Sequence, residues 1–241
     1  MPSETPDMEG GKGRDPGAAR FGNFINYYSF NPPENRLKNI PGDLLNKLEH
    51  TESPVTVLDI GCNAGDLTSS IFHVFSGSGH QVRILGVDLD LNLVDRAKKN
   101  FMVEDQLEFE NVDIMADSFQ EDVLKFLRKY KRSKFDLVTV FSVTMWVHLN
   151  HGDTGLEEMV RRLCGVSRYI LLEPQPWKCY QTAARRMRKL GQEEFKEMNQ
   201  LKIRGPGVDQ KIVEMFIKLG CVVVENFGES EWNRKLVLIK I

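Results

Sequence analysis

The sequence predicts an α/β fold: a doubly wound, mostly parallel seven-stranded sheet that ends in a C-terminal antiparallel hairpin. Three observations predict it. Five short apolar runs alternate with amphipathic segments at the spacing of strand–helix–strand units. The first of these runs opens directly into a glycine loop, Gly61-Cys62-Asn63-Ala64-Gly65, followed by a helical pattern. The last two runs, 221–224 and 235–241, are joined by a segment too short to cross over by a helix, so they pair antiparallel.

The elements follow in order. Residues 1–18 are rich in Gly, Pro and charge without periodicity, which predicts a disordered head before a single domain over 19–241. The stretch 21–33 holds five aromatics within ten residues beside Pro32-Pro33. It reads as neither helix nor strand, but as a segment laid across the domain or over its ligand. A short helix with Leu44, Leu45 and Leu48 on one face follows. Strands are predicted at 55–60, 81–87, 107–112, 135–141 and 168–172, the fourth nearly all apolar and β-branched as in the middle of a parallel sheet. Helices are predicted at 66–75, 92–100, 119–130, 154–163, 177–190, near 193–199 and at 209–219.

The 241 residues are enough for one buried core. No apolar run approaches a membrane span, and the acidic N-terminus does not read as a secretory signal. The four cysteines lack C-x-x-C spacing, which disfavours a disulfide frame or zinc knuckle and favours a reducing, cytoplasmic compartment. The net charge of −2 conceals an uneven distribution. Between Val123 and Leu190, fourteen Lys/Arg face five acids, an excess that suits an anionic partner, most of all at 185–189.

The glycine loop decides the cofactor class. Asn63 stands where a dinucleotide site needs its second glycine for the pyrophosphate. An Asp-x-Gly-x-x-x-Gly loop instead suits a ligand with an amino-acid end. Asp59 can face its ammonium, and Gly61 lets that end approach the backbone. Asp88 closes the second strand and can accept both hydroxyls of a ribose diol. Asp113 closes the third, where it can receive an adenine amino group while Ile114 packs on the ring. Each acid alone is weak evidence, since strand-end Asp often caps a helix or turn. Three at successive strand ends, beside the loop, point jointly to S-adenosylmethionine. With the closing hairpin, the whole resembles the class I (Rossmann-like) S-adenosylmethionine-dependent methyltransferases.

After the fourth strand the chain lacks the Asp/Asn-Pro-Pro-aromatic stretch of nucleobase amino-methyltransferases. It carries Val143-Thr-Met-Trp-Val-His-Leu-Asn-His-Gly-Asp153, and after the fifth strand Leu172-Glu-Pro-Gln-Pro-Trp-Lys-Cys-Tyr180. With 21–37 and 58–66, these stretches resemble the bicoid-interacting-domain RNA methyltransferases, relatives of the methylphosphate capping enzymes. The match runs from Phe21 to the C-terminus and fits the compact cytoplasmic members. The resemblance implies methyl transfer from S-adenosylmethionine to the 5′-monophosphate of a small RNA of tRNA or precursor-microRNA type, with no obligate protein partner. It implies cofactor contacts from Tyr27, Arg36, Asn63, Asp88, Asp113, Ile114 and Phe141, with Ser142 beside the methionine end.

A phosphate oxyanion needs no general base to attack a sulfonium methyl, so cations and donors are expected near the methyl. His148 and Lys178 are the candidates for positioning the phosphate. Arg185 and Arg204 are further substrate-binding candidates, with Trp177 and Tyr180 as stacking surfaces for the first bases. Trp146 reads as core packing at least as readily as substrate contact. His148, His151 and Asp153 lack a third firm ligand, so no metal is expected. Cys62 reads as a packing residue. Two other readings remain: a small-molecule methyltransferase of the same fold, and a non-catalytic RNA-binding module.

Overall fold

The computed structural model describes residues 17–49, 51–230 and 232–241. Most of the expected head lies outside these residues. Seven strands form one sheet: β1 (Val55–Ile60), β2 (Val82–Asp88), β3 (Leu107–Asn111), β4 (Phe135–Phe141), β5 (Ser167–Glu173), β6 (Val222–Glu229) and β7 (Lys235–Lys240). Their order is β3-β2-β1-β4-β5-β7-β6. The first five run parallel, and β7 lies antiparallel between β5 and β6. Every residue of β1 and β4 is buried, as central strands covered on both faces require.

Helices α3 (Asp66–Gly77) and α4 (Leu91–Phe101) cover one face, and α5 (Phe119–Arg128), α6 (Thr144–Val166) and α8 (Val208–Lys218) the other. A smaller third core joins Met145 and Leu149 of α6 to Tyr180, Ala184 and Met187 of α7 (Trp177–Lys189). Among the described residues no helix is long and apolar enough to cross a membrane.

Three elements differ from the sequence expectation. The aromatic segment contains a helical turn, α1 (Tyr27–Phe30), with a second, α2 (Glu34–Leu37), after the prolines. Strand β6 continues to Glu229, so the hairpin turn is tighter than expected. The largest difference is α6, which begins at Thr144 rather than Thr154 and runs through a kink at Gly152, where φ is +68°. Its first two turns bury apolar residues on two sides, toward α7 and toward the sheet ends. No single stripe therefore marks them as helical.

Candidate active site

A cleft opens at the carboxyl ends of β1, β2 and β4, where doubly wound folds place their ligands. It encloses about 1080 Å³ including its mouth. The sequence-predicted cofactor residues Tyr27, Arg36, Asp59, Gly61, Asn63, Asp88, Asp113, Ile114 and Phe141 all line it.

The floor is made by the loop after β1. Asp59 shares a strand face with Val57 and meets α3: Thr68 donates to its Oδ2 at 2.5 Å, and Thr139 of β4 donates to its Oδ1 at 2.7 Å. Burial pushes the Asp59 carboxyl up to about 6, against the pull of these two hydroxyls. Gly61 turns at φ +73°, and a Cβ there would lie 2.6 Å from a methyl of Val143; only glycine permits both. Asn63, itself at φ +52°, does not point its amide into open space. Its Nδ2 donates to the Phe24 carbonyl at 3.2 Å, which ties the aromatic segment to the loop.

Asp88 is less free than expected. The backbone N–H groups of Asn63 and Asp90 donate to its two oxygens at 2.9 and 3.0 Å, so a diol would meet only the remaining lone pairs. Burial nevertheless raises its pKa. Asp113 is exposed and accepts from the Met115 N–H at 2.8 Å. Helix capping falls to Asp90, whose side chain accepts from Asn92 and Leu93.

The aromatic segment forms the roof, as expected. Phe21, Gly22, Asn23, Tyr27 and Tyr28 face the cleft. Gly22 lies against Trp146, and a Cβ there would overlap the indole. Trp146 itself lines the cleft while packing on Phe24.

The back wall joins the expected Arg36, Tyr27 and Ser142 to two residues not singled out in the sequence, Glu173 and Arg234. Arg36 is buried and donates to both oxygens of Glu173 at 3.1–3.2 Å, to Ser142 Oγ at 2.9 Å and to the Tyr27 hydroxyl at 2.6 Å. Ser142 donates to Glu173 at 2.5 Å, and Arg234 donates to Ser142 at 2.5 Å. Arg36 Nη1 and Arg234 Nε are buried and, among the described residues, have no hydrogen-bond partner. Burial pulls the Arg36 pKa down, and Tyr27 and Glu173 more than reverse that. The one available signal was the pairing of β4 with β5, which sets Phe141 beside Glu173.

The substrate candidates need correction. His148 is fully buried and absent from the cleft lining. Its Nε2 lies 2.8 Å from Asp153 Oδ1 and its Nδ1 3.1 Å from the Tyr180 hydroxyl. Burial lowers the His148 pKa against the opposing carboxylate. In the neutral ring Nε2 therefore carries the hydrogen toward Asp153, and Tyr180 donates to Nδ1. Asp153 also accepts from the N–H groups of Lys202 and Ile203.

Tyr180 is also fully buried, stacked on Trp177 at 5.0 Å, and offers no face to a base. Trp177 is half-buried beneath the Arg204 guanidinium. Lys178, Arg185 and Arg204 are exposed, and none lines the cleft. Much of the basic excess is paired locally, as in Lys129 with Glu108 and Arg162 with Glu158. Among the described residues no group of three or more His, Cys, Asp or Glu is placed to hold a metal ion.

The sheet order with its reversed last strand pair, and the acid-floored cleft at the strand ends, define the class I S-adenosylmethionine-dependent methyltransferases. The likeness to solved structures agrees at the level of fold. N-methyltransferase NodS of Bradyrhizobium japonicum, solved with S-adenosyl-L-homocysteine, matches with a TM-score of 0.53 at 15% identity, over 89% of this chain and 90% of its own. The CMeT domain of the citrinin polyketide synthase gives 0.61 at 16% identity, over 90% and 55%.

A family model for Bicoid-interacting protein 3 matches residues 135–240, and one for a methyltransferase domain matches 58–165. The chain is 41% identical to the Xenopus laevis pre-miRNA 5′-monophosphate methyltransferase, over 94% of each. It is 40% identical to the Homo sapiens RNA 5′-monophosphate methyltransferase, over 98% of this chain and 86% of that one. The Drosophila melanogaster U6 snRNA methylphosphate capping enzyme Amus is 28% identical over 77% of this chain and 61% of its own. The chain belongs to the Bicoid-interacting protein 3 family, alongside the RNA 5′-monophosphate methyltransferases.

Proposed function

We propose that this chain methylates the 5′-monophosphate of a small RNA, with S-adenosylmethionine as donor, and that residues 19–241 act as one catalytic domain in the cytoplasm. The observation that carries the reading is one cleft lined by every expected donor-site residue, in a chain about 40% identical, over nearly its whole length, to RNA 5′-monophosphate methyltransferases.

The residues present fit the donor. The Nη1 of Arg36, without a partner among the described residues, is a buried cationic donor at the cleft wall and suits the carboxylate of the methionine end. Asp59 faces the ammonium, and Gly61 gives that end room. The free lone pairs of Asp88 take the ribose diol, and Asp113 and Ile114 take the adenine. Asn63 works through Phe24, while Tyr27 and Phe141 flank Arg36. Transfer forms a C–O bond at a phosphate oxygen and breaks a C–S bond whose electron pair stays on sulfur. A phosphate monoester is largely dianionic above a second pKa of about 6, so the chain has no proton to remove. Its task is placement. Helix α7 carries Lys178 and Arg185 without a single acid and offers the RNA body a cationic face.

The test is methyl labelling of 5′-monophosphorylated tRNA or precursor-microRNA transcripts. Phosphatase pretreatment should abolish label. Label that survives it places the methyl elsewhere and overturns the reading.

A further inference from the structure

We propose that His151, rather than His148, receives the acceptor's 5′-phosphate; this rests on the methyltransferase reading above. Helix α6 sorts its two histidines. Val143, Trp146, Val147 and His151 recur at helical spacing and all line the cleft. His148 lies with Met145 and Leu149 on the side packed against α7. His151 is exposed at the cleft and, among the described residues, makes no hydrogen bond or ion pair. Its backbone is shaped by two glycines. Gly152 breaks the helix immediately after it, and a Cβ at Gly155 would collide with the His151 Cβ.

The charge of the cleft singles out this histidine. The Asp, Glu, Lys and Arg residues lining it are Asp59, Asp88, Asp113 and Arg36. Arg36 is held by Glu173, and its one spare nitrogen suits the donor's carboxylate. A dianionic acceptor therefore enters past three carboxylates, and Lys178, Arg185 and Arg204 stand outside the cleft. An imidazole N–H can donate to a phosphate oxygen in either protonation state, and adds a full charge when protonated. His151 donates that hydrogen bond only; no proton passes to or from it as the C–O bond forms.

The experiment compares wild type with His151→Ala and His151→Gln. Initial rates are measured against 5′-monophosphorylated RNA and against S-adenosylmethionine, and binding of a short 5′-phosphorylated RNA is measured beside its 5′-hydroxyl counterpart. His151→Ala should raise KM for RNA about tenfold or more. KM for S-adenosylmethionine should not move, and the preference for the phosphorylated end should collapse toward one. His151→Gln, which keeps an N–H donor, should recover part of both. In wild type the His151 ring resonances should shift with the phosphorylated oligonucleotide and not with the hydroxyl form. If wild type needs the phosphate but His151→Ala keeps both its KM and its preference, the assignment falls alone. If wild type labels phosphatase-treated RNA equally well, the functional reading falls with it.

Discussion

The floor and the back wall of the cleft are both polar and buried, but they are assembled over different distances along the chain. On the floor, Thr68 reaches Asp59 across nine residues, and the Asn63 N–H reaches Asp88 across 25. On the back wall, Arg36 meets Glu173 across 137 residues and Arg234 meets Ser142 across 92. The floor needs β1, α3 and β2, with Thr139 of β4 as its one distant contributor. The back wall needs the N-terminal segment, the ends of β4 and β5 and the C-terminal hairpin together. The floor carries acids eased by hydroxyls and backbone N–H groups, whereas the wall sets two guanidiniums on one carboxylate. The wall is therefore where loss of one charge costs most.

Glu173→Gln should break that contrast most severely. Arg36 and Arg234 lie 3.1 and 3.5 Å from Glu173. Removing its charge leaves two buried cations without a counter-ion, a loss expected to cost about 3–5 kcal/mol. Urea unfolding measures it. A loss below about 1 kcal/mol would mean that water or relaxation compensates the pair.

Asp59→Asn should act in the opposite direction. The folded Asp59 holds its proton up to about 6, against 3.8 ordinarily. The folded state then binds protons more tightly than the unfolded chain, so this group's contribution falls as pH rises from about 4 to about 6, and the penalty stays constant above. Its size is about 2–3 kcal/mol. An amide can satisfy both Thr68 and Thr139 without the charge. Without cofactor, the variant should therefore be more stable than wild type at pH 7.5 and lose this pH dependence. Its affinity for S-adenosylmethionine should drop about tenfold or more. A variant less stable than wild type at pH 7.5 would show that the ionised carboxylate is an asset to the fold.

The difference in chain distance also governs what the sequence can disclose. Asp59, Gly61 and Asp88 each follow an apolar run, and Asp113 follows an alternating one, so their place at or near a strand end is written beside them. Glu173 also ends a strand, but its meaning depends on Arg36 and Arg234, and no local pattern joins those three. Arg36 was legible only through a family resemblance. His148 and His151 are a subtler case. Both lie in one motif, and only the helical phase of residues 143–151 tells them apart. That phase was hidden because the first turns of α6 are apolar on two sides. Trp177 and Tyr180 look like a stacking pair for bases and are one, but for each other.

Tyr180→Phe has the smallest expected effect and separates the two sides of α6 most cleanly. The change removes one hydroxyl and keeps the ring, its stacking on Trp177 and its place in the third core. The buried His148 Nδ1 loses its donor, at a cost of about 1–3 kcal/mol, toward the low end because the imidazole keeps its bond to Asp153. His148 stays anchored through Nε2 to Asp153, so the helix does not shift and His151 keeps its position. Stability should fall slightly while KM for RNA stays within about twofold of wild type. The same readout under His151→Ala should move about tenfold with little change in stability. If instead Tyr180→Phe raised KM for RNA as much as His151→Ala, the α7 side of the helix would be reporting on substrate. The two faces of α6 would then be one coupled site, not a packing face and a binding face.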